Sequence, residues 1–171
     1  MDLERMSPSN DGREACYTAD ALANFYLPPD VPTRSVFALS INEINVHKWI
    51  VSKCAGYDKG QEAVSEWIYK YWHKFLCSRW IEHLQGVAYW IELDRNSWGN
   101  LKEAFPNDRE LLGQILEILK QGKDDLGVIR WTNENNVTVP KDKVHEILAL
   151  ISIKSCRLRH QFEARQAKPN F

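Results

Sequence analysis

Between residues 61 and 84 the apolar positions recur three and four apart, at Ala63, Val64, Trp67, Ile68, Tyr71, Trp72, Phe75 and Leu76. At about 100° per residue these positions cover an arc wider than a helix resting on a surface needs. The pattern predicts a tryptophan-rich helix at the centre of the fold, contacted from several sides. The arc then breaks: Arg79 and Glu82 fall on it, while Trp80, Ile81 and Leu84 point elsewhere. A bend near residues 77–79, or a change of packing partner there, is expected.

The flanking segments also read as helices. Ser40-Ile-Asn-Glu43 has the form of a capping box and predicts a helix over 41–55, closed by Gly56. Asp58-Lys-Gly-Gln61 repeats the device after a turn too short for a linker, so the two helices should form a tight hairpin or corner. Residues 87–93 combine β-branched and aromatic side chains and fit a short strand or more helix. A short helix over 96–105 is expected to stop at Pro106, and Asn107-Asp-Arg-Glu110 to open another that ends at Gly122. A brief helix over 124–135 follows. Pro140 then suits the first turn of a long last helix carrying Val144, Ile147, Leu148, Ile151, Leu158 and Phe162 on one stripe.

The N-terminal residues are different in kind. Residues 1–34 read as a flexible arm, with a short helix near Thr18 to Tyr26, and a connector in which Pro28, Pro29 and Pro32 forbid a helix. Residues 35–168 read as one all-α domain, orthogonal or bundle-like, of five to seven helices. The composition, 44% hydrophobic and 26% charged over 171 residues, suits one globular core. No apolar run approaches the roughly 18 residues of a membrane span, and Met1-Asp-Leu-Glu-Arg5 carries no hydrophobic signal segment. A cytoplasmic protein with reduced thiols at Cys16, Cys54, Cys77 and Cys156 is expected.

The net charge of −1 hides an uneven distribution: residues 152–171 hold five Lys and Arg against one acid. Lys154, Arg157, Arg159, Arg165 and Lys168, with Lys141 and Lys143 at the start of the last predicted helix, are the candidate nucleic-acid contacts. Against that reading, the preceding helix opens with Asp124-Asp125 and the whole-chain pI is near 6.5.

Motifs for the commonest enzyme chemistries are absent from the sequence, including glycine-rich phosphate loops, His-Glu-x-x-His, paired-cysteine zinc spacing and the serine nucleophile elbow. Gly56 and Gly60 are accounted for as turn residues. His47 and Cys54 share a helix face, but seven residues is about 10.5 Å of rise, too far for one to activate the other. His73 and Cys77 are four apart, as are Cys156 and His160, so each pair aims one way. If the helices met on those faces the four could hold zinc. The stronger expectation is that Cys156 and His160, opposite the apolar stripe, face solvent and that the protein carries neither metal nor cofactor.

Seven tryptophans are more than packing of one helix requires. Trp67 and Trp72 belong to the arc, whereas Trp80 sits where it breaks. Arg79, Trp80, Tyr89 and Trp90 are therefore the candidate partner surface, since interface hot spots are rich in Trp, Tyr and Arg. The function expected is a non-enzymatic, regulatory protein–protein interaction module whose partner is another protein, with a homo-oligomer also possible. Nucleic-acid binding is the alternative, and a Cys2His2 metal site ranks below it.

Overall fold

A computed structural model describes residues 27–135 and 141–153, together with Cys156 and Leu158. The expected helix near Thr18 to Tyr26 lies outside the described residues, as do Pro140 and Phe162. The described chain is mostly helical, with five α-helices: α1 (Val36–Ala55), α2 (Gly60–Leu84), α3 (Arg109–Lys120), α4 (Asp125–Glu134) and α5 (Lys141–Ile151). Two short strands, β1 (Thr33–Arg34) and β2 (Tyr89–Trp90), pair in parallel, with Thr33 opposite Tyr89 and Arg34 opposite Trp90. Of the short strand and the further helix that residues 87–93 both fit, a two-residue strand is present, and the end of the proline-rich connector is its partner.

The predicted central helix is α2, which packs against α1, α3 and β2. Trp67, Ile68, Trp72 and Leu76 are buried in its first half, and Cys77, Trp80, Ile81, His83 and Leu84 in its second. It runs as one continuous helix, so the break in the apolar arc reflects a change of neighbours. The first half meets α1, while Trp80 meets the end of α5 and His83 meets the loop after β2.

Several boundaries differ from the sequence reading. α1 begins at Val36, one turn before the expected capping box, because Ser35 is the N-cap and its Oγ accepts from the Ala38 amide. Ser40 is buried inside the helix, where its hydroxyl donates to the Phe37 carbonyl. The Glu92 carboxylate, from the segment after β2, accepts from the Val36 amide at 2.8 Å and from the Ser35 hydroxyl. This cap spans more than fifty residues and leaves no local signature. Residues 96–105 are not an α-helix: a 3-10 turn (Arg95–Ser97), capped by Asp94, gives way to successive turns that bury Leu101 and Phe105. α3 and α4 lie close to their expected places, with Gly122 at φ 88° and Asp124 accepting from the Gly127 amide.

The last helix is shorter than expected. α5 ends at Ile151 and Ser152 turns at φ 44°. The chain then passes along α2, where the Trp80 and Trp72 indoles donate to the Ile151 and Leu158 carbonyls, each at 2.8 Å. Each bond satisfies an indole donor that burial would otherwise leave unpaired.

Candidate functional site

The proposed surface around Trp80 and Trp90 is corrected by burial. Trp90 is completely enclosed and Trp80 is 6% exposed, so neither can reach a partner. β2 carries Trp90 inward, between the guanidinium of Arg34 at 6.0 Å and that of Arg79 at 5.4 Å. Arg79 is half-buried, also lies 5.0 Å from the Phe75 ring, and donates to Glu82 at 2.7 Å. A charged pair within the apolar arc is therefore a lid on the core. Tyr89 is half-buried too, against His83 and Trp98.

His83 was not singled out by its sequence context, yet it is the completely buried hinge of this region. The Trp90 amide donates to Nδ1 at 3.2 Å, and Nε2 lies 3.0 Å from the Asp94 carbonyl oxygen. An amide can only donate and a carbonyl can only accept, so the ring is the neutral tautomer with its proton on Nε2. Burial pushes its pKa below the usual imidazole value, outweighing the contact with Asp94. The ring stacks on Trp80 at 6.1 Å and spends both nitrogens on backbone. It ties β2 and the following loop to α2.

Of the two thiol–imidazole pairs, one lies wholly within the described residues. His73 Nε2 lies 3.6 Å from Cys77 Sγ. Cys156 is buried rather than solvent-facing, because the chain turns after Ile151, and it lies near enough to Cys77 for each to disfavour ionisation of the other. His160 lies outside the described residues, and among the described residues no three His, Cys, Asp or Glu side chains cluster to hold a metal. Burial pushes the Cys77 thiol up to about 11. Burial, with Cys77 adding to it, pushes Cys156 up to about 12. Both are in the uncharged form that packs well and reacts poorly. His47 interacts with Glu66 at 3.8 Å while Cys54 is exposed, so that pair is not brought together for catalysis.

Of the basic candidates, Lys141 is exposed. Lys143 is held by Glu146 at 2.7 Å and lies 3.8 Å from Asp108, contacts that raise its pKa. Lys154, Arg157, Arg159, Arg165 and Lys168 lie outside the described residues. Because α5 ends at Ile151, one regular helix does not carry Lys141 and Lys143 together with that tail.

The exposed apolar surface is elsewhere. α1 buries only Val36, Ser40 and Ile44, so the second half of this 20-residue helix has no fully buried side chain. Val46, Trp49 and Ile50 there are 56%, 63% and 48% exposed. A groove of about 370 Å³ on one side runs between Val46 and Ile50 of α1 and Trp67, Tyr71 and Phe75 of α2. A second, of about 510 Å³, lies beside Trp49 and Tyr57 on the other side. Lys53 stands 5.8 Å from the Trp49 ring. The sequence did hold a signal for this surface. Ile44 and Val51 already supply α1 with an inward face, so Val46, Trp49 and Ile50 are apolar residues in excess of one.

Among the described residues no helix is long and apolar enough to cross a membrane. Comparison with protein families, curated proteins and solved structures finds no match for this chain.

Proposed function

We propose that this protein is a non-enzymatic, regulatory helical interaction module of the cytoplasm, and that it docks another polypeptide on the outer face of α1. The observation that carries the reading is the exposure of Val46, Trp49 and Ile50 on a half-helix with no fully buried residue. Single exposed apolar residues are ordinary, but three within five residues of one helix, flanked by two grooves, form a contiguous patch of the kind that marks docking surfaces. Trp is the residue most enriched in interface hot spots, and Lys48 and Lys53 supply a polar rim. Among the described residues, the buried histidine and thiols offer no competing reactive centre. His83 is committed to backbone, and Cys77 and Cys156 are buried thiols with raised pKa values.

A photo-crosslinker placed at Trp49 tests this, with a second at Glu117 on exposed α3 surface as control. The expected result is a discrete polypeptide adduct from position 49 only, competed away by excess unlabelled protein but not by a Val46→Asp, Ile50→Asp variant. Equal labelling from both positions, or equal competition by the variant, overturns the reading.

A further inference from the structure

We propose that the polypeptide covering this face is a second copy of the chain, docked with its α1 antiparallel to the first. The inference deepens the interaction reading and rests on it.

Glu43, Val46, Ile50 and Lys53 are spaced three, four and three apart along α1 and are all exposed. That is the spacing of a helix–helix seam, in which alternate three- and four-residue steps keep side chains on one line. The seam is self-complementary in one orientation only. When two α1 helices run antiparallel about a two-fold axis at position 48, Val46 of each copy meets Ile50 of the other. The same operation brings Glu43 of each copy to Lys53 of the other. A parallel arrangement sets Glu43 against Glu43 and Lys53 against Lys53, which is repulsive at both ends. A two-fold contact uses one patch twice, so complementarity within a single helix face is the condition it has to meet.

The remaining residues near the axis agree with this. Lys48 is the residue that the two-fold places closest to its own copy, but it is turned off the seam and its amine lies 3.4 Å from Asp58. Trp49 borders the seam within one residue of the axis, so both indoles lie on the same edge of the contact and cover the Val46 and Ile50 pairs. Among the described residues neither Glu43 nor Lys53 has an ion-pair partner, and the Lys53 amine stands 5.8 Å from the Trp49 ring. Both charges are thus available, and each sits at the end of the apolar centre, where an exposed ion pair sets orientation more than affinity.

Sedimentation equilibrium of the full chain over a range of concentrations provides the test, using charge variants at exposed positions that leave the core untouched. The wild type is expected to dimerise reversibly. Glu43→Lys and Lys53→Glu, each alone, place like charges at both ends and should weaken self-association by about tenfold. An equimolar mixture of the two variants should associate as a heterodimer, because every end pair is again opposite in sign. A wild type that stays monomeric overturns the proposal, as does a dimer indifferent to both variants or a mixture that fails to recover association. If the chain is monomeric and the crosslinker at Trp49 still captures a different polypeptide, the self-docking inference fails while the interaction reading stands.

Discussion

The indole of Trp80 donates to the Ile151 carbonyl at 2.8 Å, joining the second half of α2 to the last residue of α5. Seventy-one positions separate the two in the chain. This bond explains why a tryptophan stands where the apolar arc breaks: the site needs a large apolar body with one donor at its tip. Trp90, by contrast, is fully buried and its Nε1 has no hydrogen-bond partner among the described residues. Trp80→Phe should therefore destabilise the fold by about 1 kcal/mol more than Trp90→Phe, since only the first leaves a buried carbonyl orphaned. Chemical denaturation of the two variants checks the order, and a larger loss for Trp90→Phe contradicts it.

Glu92 caps a helix far from it in sequence. Its carboxylate takes the Val36 amide at the positive end of α1 and the Ser35 hydroxyl beside it. Glu92→Ala should cost about 1 to 2 kcal/mol, close to the loss of a good N-cap, and Ser35→Ala about 1 kcal/mol. The residues share one network, so the double variant should lose less than the sum. Additive losses in a double-mutant cycle argue against a shared cap.

His83 gives the fold an acid sensitivity of defined sign. Its pKa is lowered in the folded protein, so the unfolded chain takes up the proton first as pH falls. The stability contributed by the neutral ring is fully present above the ordinary value near 6.5 and is lost progressively as pH drops from there toward the lower folded value. Protonation at Nδ1 also removes the acceptor for the Trp90 amide. Melting temperature should decline between about pH 7 and 5, and His83→Gln should flatten that decline while lowering stability overall. An unchanged pH slope in the variant removes His83 as the cause.

The thiols should separate cleanly by reactivity. Cys54 is exposed, whereas Cys77 and Cys156 are buried with pKa values pushed up to about 11 and about 12. In a brief reaction with iodoacetamide near neutral pH, peptide mapping should find Cys54 alkylated and the buried pair protected until denaturant is added. Rapid modification of Cys77 in the native protein contradicts the packing of the chain after Ile151 along α2.

The outer face of α1 should be dispensable for the fold of one chain. Val46→Gln, Trp49→Gln and Ile50→Gln each replace a side chain that is about half or more exposed, so stability measured in dilute solution should change by no more than about 0.5 kcal/mol. A loss of several kcal/mol from any of them places that residue in the core and removes the docking surface.

Much of the fold was legible in the order of residues alone. The 3.6-residue periodicity of α2, the glycine turn and short link before it, the amphipathic α3 and the approximate place of α4 follow from local spacing and turn chemistry, because the helix period repeats within a few residues. Residues 87–93 fit strand and helix alike, and pairing with β1 decided between them. Tertiary contacts decided the rest. Glu92 moved the start of α1 back to Val36, and Trp72 and Trp80 hold the chain after Ile151 against α2. They also decided which tryptophans face outward. Trp80 and Trp49 each look surplus to a simple stripe, yet one is 6% exposed and the other 63%. Sequence periodicity gives the angle of a side chain around its own helix, and only the placement of neighbouring elements determines whether that angle meets protein or water.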